Sequence, residues 1–185
     1  VKEMEAARES DLPWDIAAAH AVAAKRMVIL QREYEIATLC QTSGSFASST
    51  TVLAGAGWNE FTNGVSNVDP LPLIEEQINT LRSNIGTKPN VAFCGISTAR
   101  ALRYNTQVHD RLFGVGNPGQ TTIDMIANWL GLDEIVVGDG VYLDPATKTM
   151  VDIWGDCFGL IYRVGAPSQD PTPTFGFTAI RSFGN

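Results

Sequence analysis

An α+β fold around a small central sheet is the architecture the sequence predicts, and three features predict it. No Gly or Pro interrupts the chain from Trp14 to Gln41, so a long helix comes first. In the middle, short strand-like runs at Val91–Cys94, Glu134–Val137 and Val141–Leu143 alternate with segments of helical spacing. From Met150 onward only strand-like patterns remain, at Met150–Trp154, Phe158–Val164 and Thr174–Arg181. Helices mixed with a few buried strands, then a strand-only tail, describe α+β and not a regular βαβ alternation.

Leu12-Pro13-Trp14 opens the long helix, because proline suits the first helical position, where no N–H is needed. At the usual rise, its extent to about Gln41 makes a rod of about 43 Å. The first half, Ile16–Ala24, is apolar on every side, unlike a helix lying on an ordinary surface. It is expected to have neighbours on several sides, some of them from other chains. In the second half Arg26, Arg32, Glu33 and Glu35 restore polarity, while Met27, Leu30, Tyr34 and Ile36 to Leu39 are expected to keep a buried stripe. The small polar run Thr42–Thr50 ends the helix, and Thr51–Leu53 is expected as a short strand. Trp58 and Phe61 anchor the next turn, Asn63-Gly64 and Asp69-Pro70 punctuate it, and a lobe boundary is placed near Ser66–Pro70.

Leu73, Ile74, Gln77, Ile78, Leu81 and Ile85 follow helical spacing, with Gly86 as the stop. Lys88-Pro89-Asn90 leads into the apolar Val91–Cys94 strand, and a helix is expected over Ser97–Arg111 with Ala101, Leu102 and Tyr104. Thr121 to Asp124 has the form of a capping box opening a helix that runs to Leu130 and closes at Gly131. Asp144-Pro145-Ala146-Thr147 reads as a turn between the third and fourth strands.

Composition narrows the function. The chain has 185 residues and 44% apolar content, enough for one core or two small lobes. No apolar run nears the roughly 20 residues a membrane helix needs, and no basic-then-apolar leader opens the chain, so synthesis in the cytosol is the expectation. Cys40, Cys94 and Cys157 are far apart and odd in number, which favours reduced, buried thiols over a disulfide framework or zinc ribbon. Net charge is −7 and the 13 Lys and Arg are scattered, so a basic face for gripping nucleic acid is not expected. The chain begins at Val1 with a charged, helix-prone Val1–Ser10, which leads to the expectation that sequence precedes it.

Candidate chemistry is thin. Gly114-Val-Gly116-Asn-Pro-Gly119 matches a dinucleotide-binding pattern, with Asp133 and Asp139 as distant acids. A buried strand should lead into such glycines, whereas Asn105–Arg111 is polar, and Pro118 removes an N–H from the loop; a plain surface loop is expected. Cys94 with His109 is the one conceivable nucleophile and base, and His20 lies in the alanine-rich helix as a packed or partner-facing residue. Asp139, Asp152 and Asp156 sit near strand ends, where solvated turn acids are the ordinary case. Trp14, Trp58, Trp129 and Trp154 are spread out, as core anchors are, not interleaved with Arg as in a base-stacking platform.

The series of elements carries a resemblance. A long helix with Arg32-Glu33-Tyr34-Glu35-Ile36-Ala37 at its end precedes a Gly/Trp segment, Gly55–Phe61, and an Asp-Pro followed by a helix. After these come a Lys-Pro-Asn strand entry, a helix holding Ala101-Leu102 and Asn105, Gly131 to Gly138, and Ile153-Trp154-Gly155-Asp156 before the last strands. Over about Leu12–Phe183 this order resembles the tailed-bacteriophage major capsid protein family, with its Hong Kong 97-like capsid fold.

The resemblance implies a long spine helix, a peripheral lobe and an axial lobe built on a small mixed sheet. Residues 1–66 would form the peripheral lobe with the spine, 67–150 the axial lobe, and 151–185 strands returning to the peripheral lobe. The family's N-terminal arm and extended hairpin are not recognisable here. It further implies a structural subunit with no catalytic residues, cofactor or metal, assembling with copies of itself into pentamers and hexamers of an icosahedral shell around double-stranded DNA. Leu112, Phe113 and Asn117 would lie at the subunit interface. Scaffolding, portal and decoration proteins are the implied partners, and the virion capsid, built in the host cytoplasm, is the implied location. The family's Lys–Asn cross-link is not assigned to Lys2, Lys25, Lys88 or Lys148. Two alternatives stand beside this reading: an encapsulin-type nanocompartment shell, and a small α/β enzyme using the glycine loop or Cys94.

Overall fold

The computed structural model describes residues 16–45, 57–59, 61–62, 65–66 and 68–164. The expected helix opening at Leu12-Pro13, the Thr51–Leu53 strand and the Thr174–Arg181 strand lie outside these residues. Helix α1 spans Ile16–Gln41 and is followed by a 3₁₀ turn, Ser43–Ser45. A minimal hairpin pairs β1 (Phe61–Thr62) with β2 (Val65–Ser66). Helix α2 (Pro70–Ile85) leads to β3 (Val91–Gly95); α3 (Ile96–Tyr104), α4 (Thr106–Phe113) and α5 (Ile123–Leu130) then cross over to β4 (Glu134–Gly138). The chain finishes with a β5/β6 hairpin (Val141–Leu143 and Met150–Asp152) and β7 (Phe158–Ile161).

The central sheet has the order β4-β3-β7 and is mixed. Strand β3 runs parallel to β4, with Val91 opposite Glu134 and Gly95 opposite Gly138, and antiparallel to β7, with Val91 opposite Ile161 and Cys94 opposite Phe158. All five residues of β3 are buried, which explains why this strand reads as a continuous apolar run and not as an alternation. Successive side chains still face opposite ways. Ala92, Cys94, Ile135 and the half-buried Val137, Phe158 and Leu160 meet Leu71, Ile74 and Ile78 of α2, Leu102 of α3, Val108 of α4 and Ile126 and Leu130 of α5 in one core. On the other face, Phe93 packs against Trp154 with ring centroids 5.5 Å apart. The mixed helix-and-sheet composition is that of an α+β fold.

Local chemistry sets the helix ends. Asp69 caps α2 through its carboxylate, which accepts from the Leu71 N–H at 3.0 Å, and Pro70 fills the first turn. Gly86 ends the helix in the left-handed conformation, as its position suggests. Thr122, not Thr121, caps α5, its hydroxyl accepting from Met125 N–H at 3.3 Å, so the expected box is displaced by one residue. At the far end Gly131 takes φ 65°, and the Lys88 ammonium donates to the Leu130 and Gly131 carbonyls, placing a cation on the negative end of the helix.

Two further expectations are corrected. The helix expected over Ser97–Arg111 is two helices, because Asn105 leaves helical geometry and starts a second one. The Asn105 side chain is fully buried: its Oδ1 accepts from the Gln107 and Val108 N–H groups, and its Nδ2 donates to the Trp58 and Val68 carbonyls. The expected buried stripe of α1 is largely uncovered. Met27 is 71% exposed, and Tyr34, Ile36 and Leu39 are exposed too, while Ala37 is buried. Among the described residues, contacts to α1 are made along a narrow strip near its C-terminal end.

Candidate functional site

That strip is a joint between α1 and the sheet, built on the turn Ile153-Trp154-Gly155-Asp156. The indole N–H of Trp154 donates to the Glu33 carboxylate at 2.9 Å, and the Gln41 amide donates to the Ile153 carbonyl at 2.8 Å. Tyr34 meets Tyr142 of β5 edge-on, with centroids 5.0 Å apart. Glycine is required where the Trp154 ring lies on β4, since a Cβ on Gly138 would come within 2.0 Å of it. Ser97, at the start of α3, donates to Asp156 and, at 3.3 Å, to the Gly155 carbonyl, closing the turn onto the end of β3. Glu33, Gly138 and Ile153 to Asp156 each stand in a segment that carries the sequence resemblance, but nothing in the sequence joins them, and Gln41 is marked there only as the end of the helix.

Around this joint the surface is apolar. Val22, Met27, Val28, Ile29, Ile36 and Leu39 of α1 are exposed, and at 3.6 residues per turn all but Met27 fall within an arc of about 120°, one apolar stripe beside the docked side. On the hairpin, Val141, Leu143 and Met150 are exposed, the last at 70%. No helix among the described residues is long and apolar enough to cross a membrane.

The second candidate surface is the end of α4 and the loop after it. Leu112 is half-buried against the core, and Phe113 lies against Gly119 and tilts over the His109 ring, 5.1 Å between centroids. Asn117 folds back, its amide donating to the Phe113 carbonyl at 2.5 Å, and Val115 at the tip is 87% exposed. Leu112, Phe113 and Asn117 lie together at the C-terminal end of α4 and the loop after it. Their glycine pattern follows the C-terminal end of α4, whose carbonyls would repel a phosphate, so this loop lacks the strand-to-helix setting of a dinucleotide site.

Cys94 and His109 are not a pair. Cys94 lies fully buried in β3, where burial first, and then the neighbouring Cys157, push its thiol up to about 12. The His109 ring instead meets the Gly119 carbonyl at 3.2 Å. A thiol held that high is almost wholly protonated at neutral pH and is a poor nucleophile. Asp139 and Asp152 are exposed, and Asp156 serves the joint by accepting from Ser97. Of the tryptophans, Trp58 packs on Phe158 at 5.6 Å and Trp154 sits in the joint, whereas Trp129 is partly exposed at 37% and is no core anchor; Trp14 lies outside the described residues, and His20 is exposed on α1.

At the tip of the hairpin, Asp144 accepts from the Ala146 N–H and the Thr147 hydroxyl, at 2.9 and 2.8 Å, and these bonds hold its carboxyl below the ordinary 3.8. A depressed carboxyl contributes order above its ordinary pKa and loses it as pH falls through the lower, folded value. The Ala146 amide is accordingly expected to lose hydrogen-exchange protection in that acidic window, while amides of β3 do not change.

No protein-family model matches the chain. Among curated proteins, the major capsid protein of Burkholderia phage BcepMu is 29% identical over 182 residues, which cover 96% of this chain and 57% of that protein. Among solved structures, a phage-related protein of Bordetella bronchiseptica RB50 superposes with a TM-score of 0.65 at 23% identity, over 89% of this chain and 51% of that one. The chain thus spans little more than half the length of either. The resemblance read from the sequence is met: along nearly its whole length this chain is similar to a phage major capsid protein, and it has the fold of a phage-related protein.

Proposed function

We propose that this chain is the structural subunit, or most of one, of an icosahedral tailed-phage capsid, working by assembly and not by turnover. The similarity to a phage major capsid protein over 96% of the chain carries this reading. The exposed apolar stripe of α1 fits it, because such a stripe needs neighbours and the described residues do not cover it. In this reading α1 is the spine, residues 1–66 belong to a peripheral lobe and 67–150 to an axial lobe. Residues 151–185 return toward the peripheral lobe, and within the described part Trp154 holds α1 while β7 pairs with β3 of the axial lobe. Leu112, Phe113 and Asn117 sit where axial lobes meet in pentamers and hexamers, head to tail, so that one contact closes rings of either size. A net charge of −7 suits a wall that encloses double-stranded DNA without holding it. Scaffolding, portal and decoration proteins are the proposed partners, and the virion is the proposed location.

Electron microscopy of the full-length gene product tests this directly. Rings or closed particles are expected, and a persistent monomer would overturn the proposal. The double variant Met27→Glu, Ile29→Glu should fold with a stability within about 1 kcal/mol of the parent, since both side chains are exposed, yet fail to form particles. Particle formation by the variant would show that α1 is not an assembly surface.

A further inference from the structure

The cysteines have no part in the assembly reading, yet two of them stand at the joint. Glu33, Ala37, Cys40 and Gln41 are spaced i, i+4, i+7 and i+8 and so share one side of α1. That side is the docked one: Glu33 accepts from Trp154, Ala37 is buried, and Gln41 donates to Ile153. Cys40 is half-buried within it.

Cys157 reaches the same place from the sheet. Its carbonyl accepts from the Gly95 N–H at 3.3 Å, continuing the antiparallel register of β3 and β7 by one residue. Side chains alternate along that register, so Cys157 falls on the face of Phe93 and Trp154, whereas Cys94 faces the core. The Cys157 thiol donates to the Trp154 carbonyl at 2.9 Å. Both thiols thus border the turn Ile153–Asp156, one from the helix and one from the sheet. Burial first, and Cys40 as a lesser cause, raise the Cys157 thiol; Cys157 likewise acts on Cys94, but the alternation of faces sets those two on opposite sides of the sheet.

The geometry points to Cys40 and Cys157 as a thiol pair that oxidises to an intramolecular disulfide, stapling α1 to the central sheet and leaving Cys94 as a free thiol. With a small disulfide such as oxidised glutathione as the oxidant, the thiolate of one cysteine attacks it and releases one glutathione thiolate. The second cysteine thiolate then attacks the resulting mixed disulfide and expels the other glutathione. One S–S bond forms in the protein as one breaks in the oxidant; two electrons pass to glutathione, and the two protons of the cysteines end on its two thiols. Burial raises both thiols, so closure is slow at neutral pH and quickens as pH rises. A reducing cytosol keeps such a pair open, and an oxidising medium closes it.

The test is to incubate the folded chain with oxidised glutathione at mildly alkaline pH, then titrate thiols and map tryptic peptides without reduction. The titre should fall from three thiols to one, with the peptide of Cys40 joined to that of Cys157 and the chain lighter by two hydrogens. Cys40→Ala and Cys157→Ala should each abolish the joined peptide. The parent map is decisive even if a variant folds poorly. Three thiols remaining free, glutathione adducts without closure, or a bond that involves Cys94 or a second chain would overturn the inference, because closure demands Cα atoms within about 7 Å.

Discussion

Replacing Asn105 by Ala is expected to lower the free energy of unfolding by about 3–5 kcal/mol, measured by urea denaturation. The side chain caps α4, and loss of such a cap alone costs about 1 kcal/mol. It also leaves the Gln107 and Val108 N–H groups and the Trp58 and Val68 carbonyls without their partner around a fully buried side chain, and buried polar groups left unmatched cost about 1–3 kcal/mol each. Local relaxation keeps the total below the sum of these. Asn105→Asp is the informative companion. It retains the cap but sets a carboxylate oxygen against two carbonyls, so it should be no more stable than the Ala variant. A loss under about 1 kcal/mol for either change would mean that the segments around Trp58 and Val68 are not held by this residue.

Trp154→Ala is expected to cost about 2–4 kcal/mol, somewhat less than a fully buried tryptophan because the ring is half-buried. The ring covers Phe93, fills the space above Gly138 and donates to Glu33, so its loss removes the main tie between α1 and the sheet. The consequence beyond stability is release of α1. Trypsin should cleave after Arg32 markedly faster in the variant under native conditions, at a protease level that spares the parent. Trp154→Phe keeps the ring and loses only the indole N–H; it should cost about 1 kcal/mol and leave most of the protection intact. Equal cleavage in parent and Ala variant would place the docking of α1 elsewhere.

Much of this architecture was legible, and the reasons are local. Val91–Cys94 announced a buried strand because both of its faces are covered, and Asp69-Pro70 and Gly86 marked the ends of α2 because cap chemistry is written in the residues themselves. The break at Asn105 was not foreseen. Apolar spacing continues across it, and the four bonds that hold the side chain come partly from residues 37 and 47 positions away. The exposure of α1 could not be read either, for spacing shows which residues are apolar and not whether one chain suffices to cover them. At the joint, Ile153 to Asp156 stood out as a motif, but its partners Glu33 and Gln41 lie more than 100 positions earlier. The proposed interface residues Leu112, Phe113 and Asn117 rest on family likeness, and the structure adds that they lie together.

The pairing order of the central sheet has a consequence for synthesis. Strand β3 leaves the ribosome first, yet its neighbours are residues 134–138 on one side and 158–161 on the other. Until both have emerged, the innermost strand of the nascent chain has bare edges, and such non-local partners make for late consolidation. The turn that grips α1 sits just before the last of these strands, so the helix is fastened only once Trp154, 121 positions after Glu33, has been added.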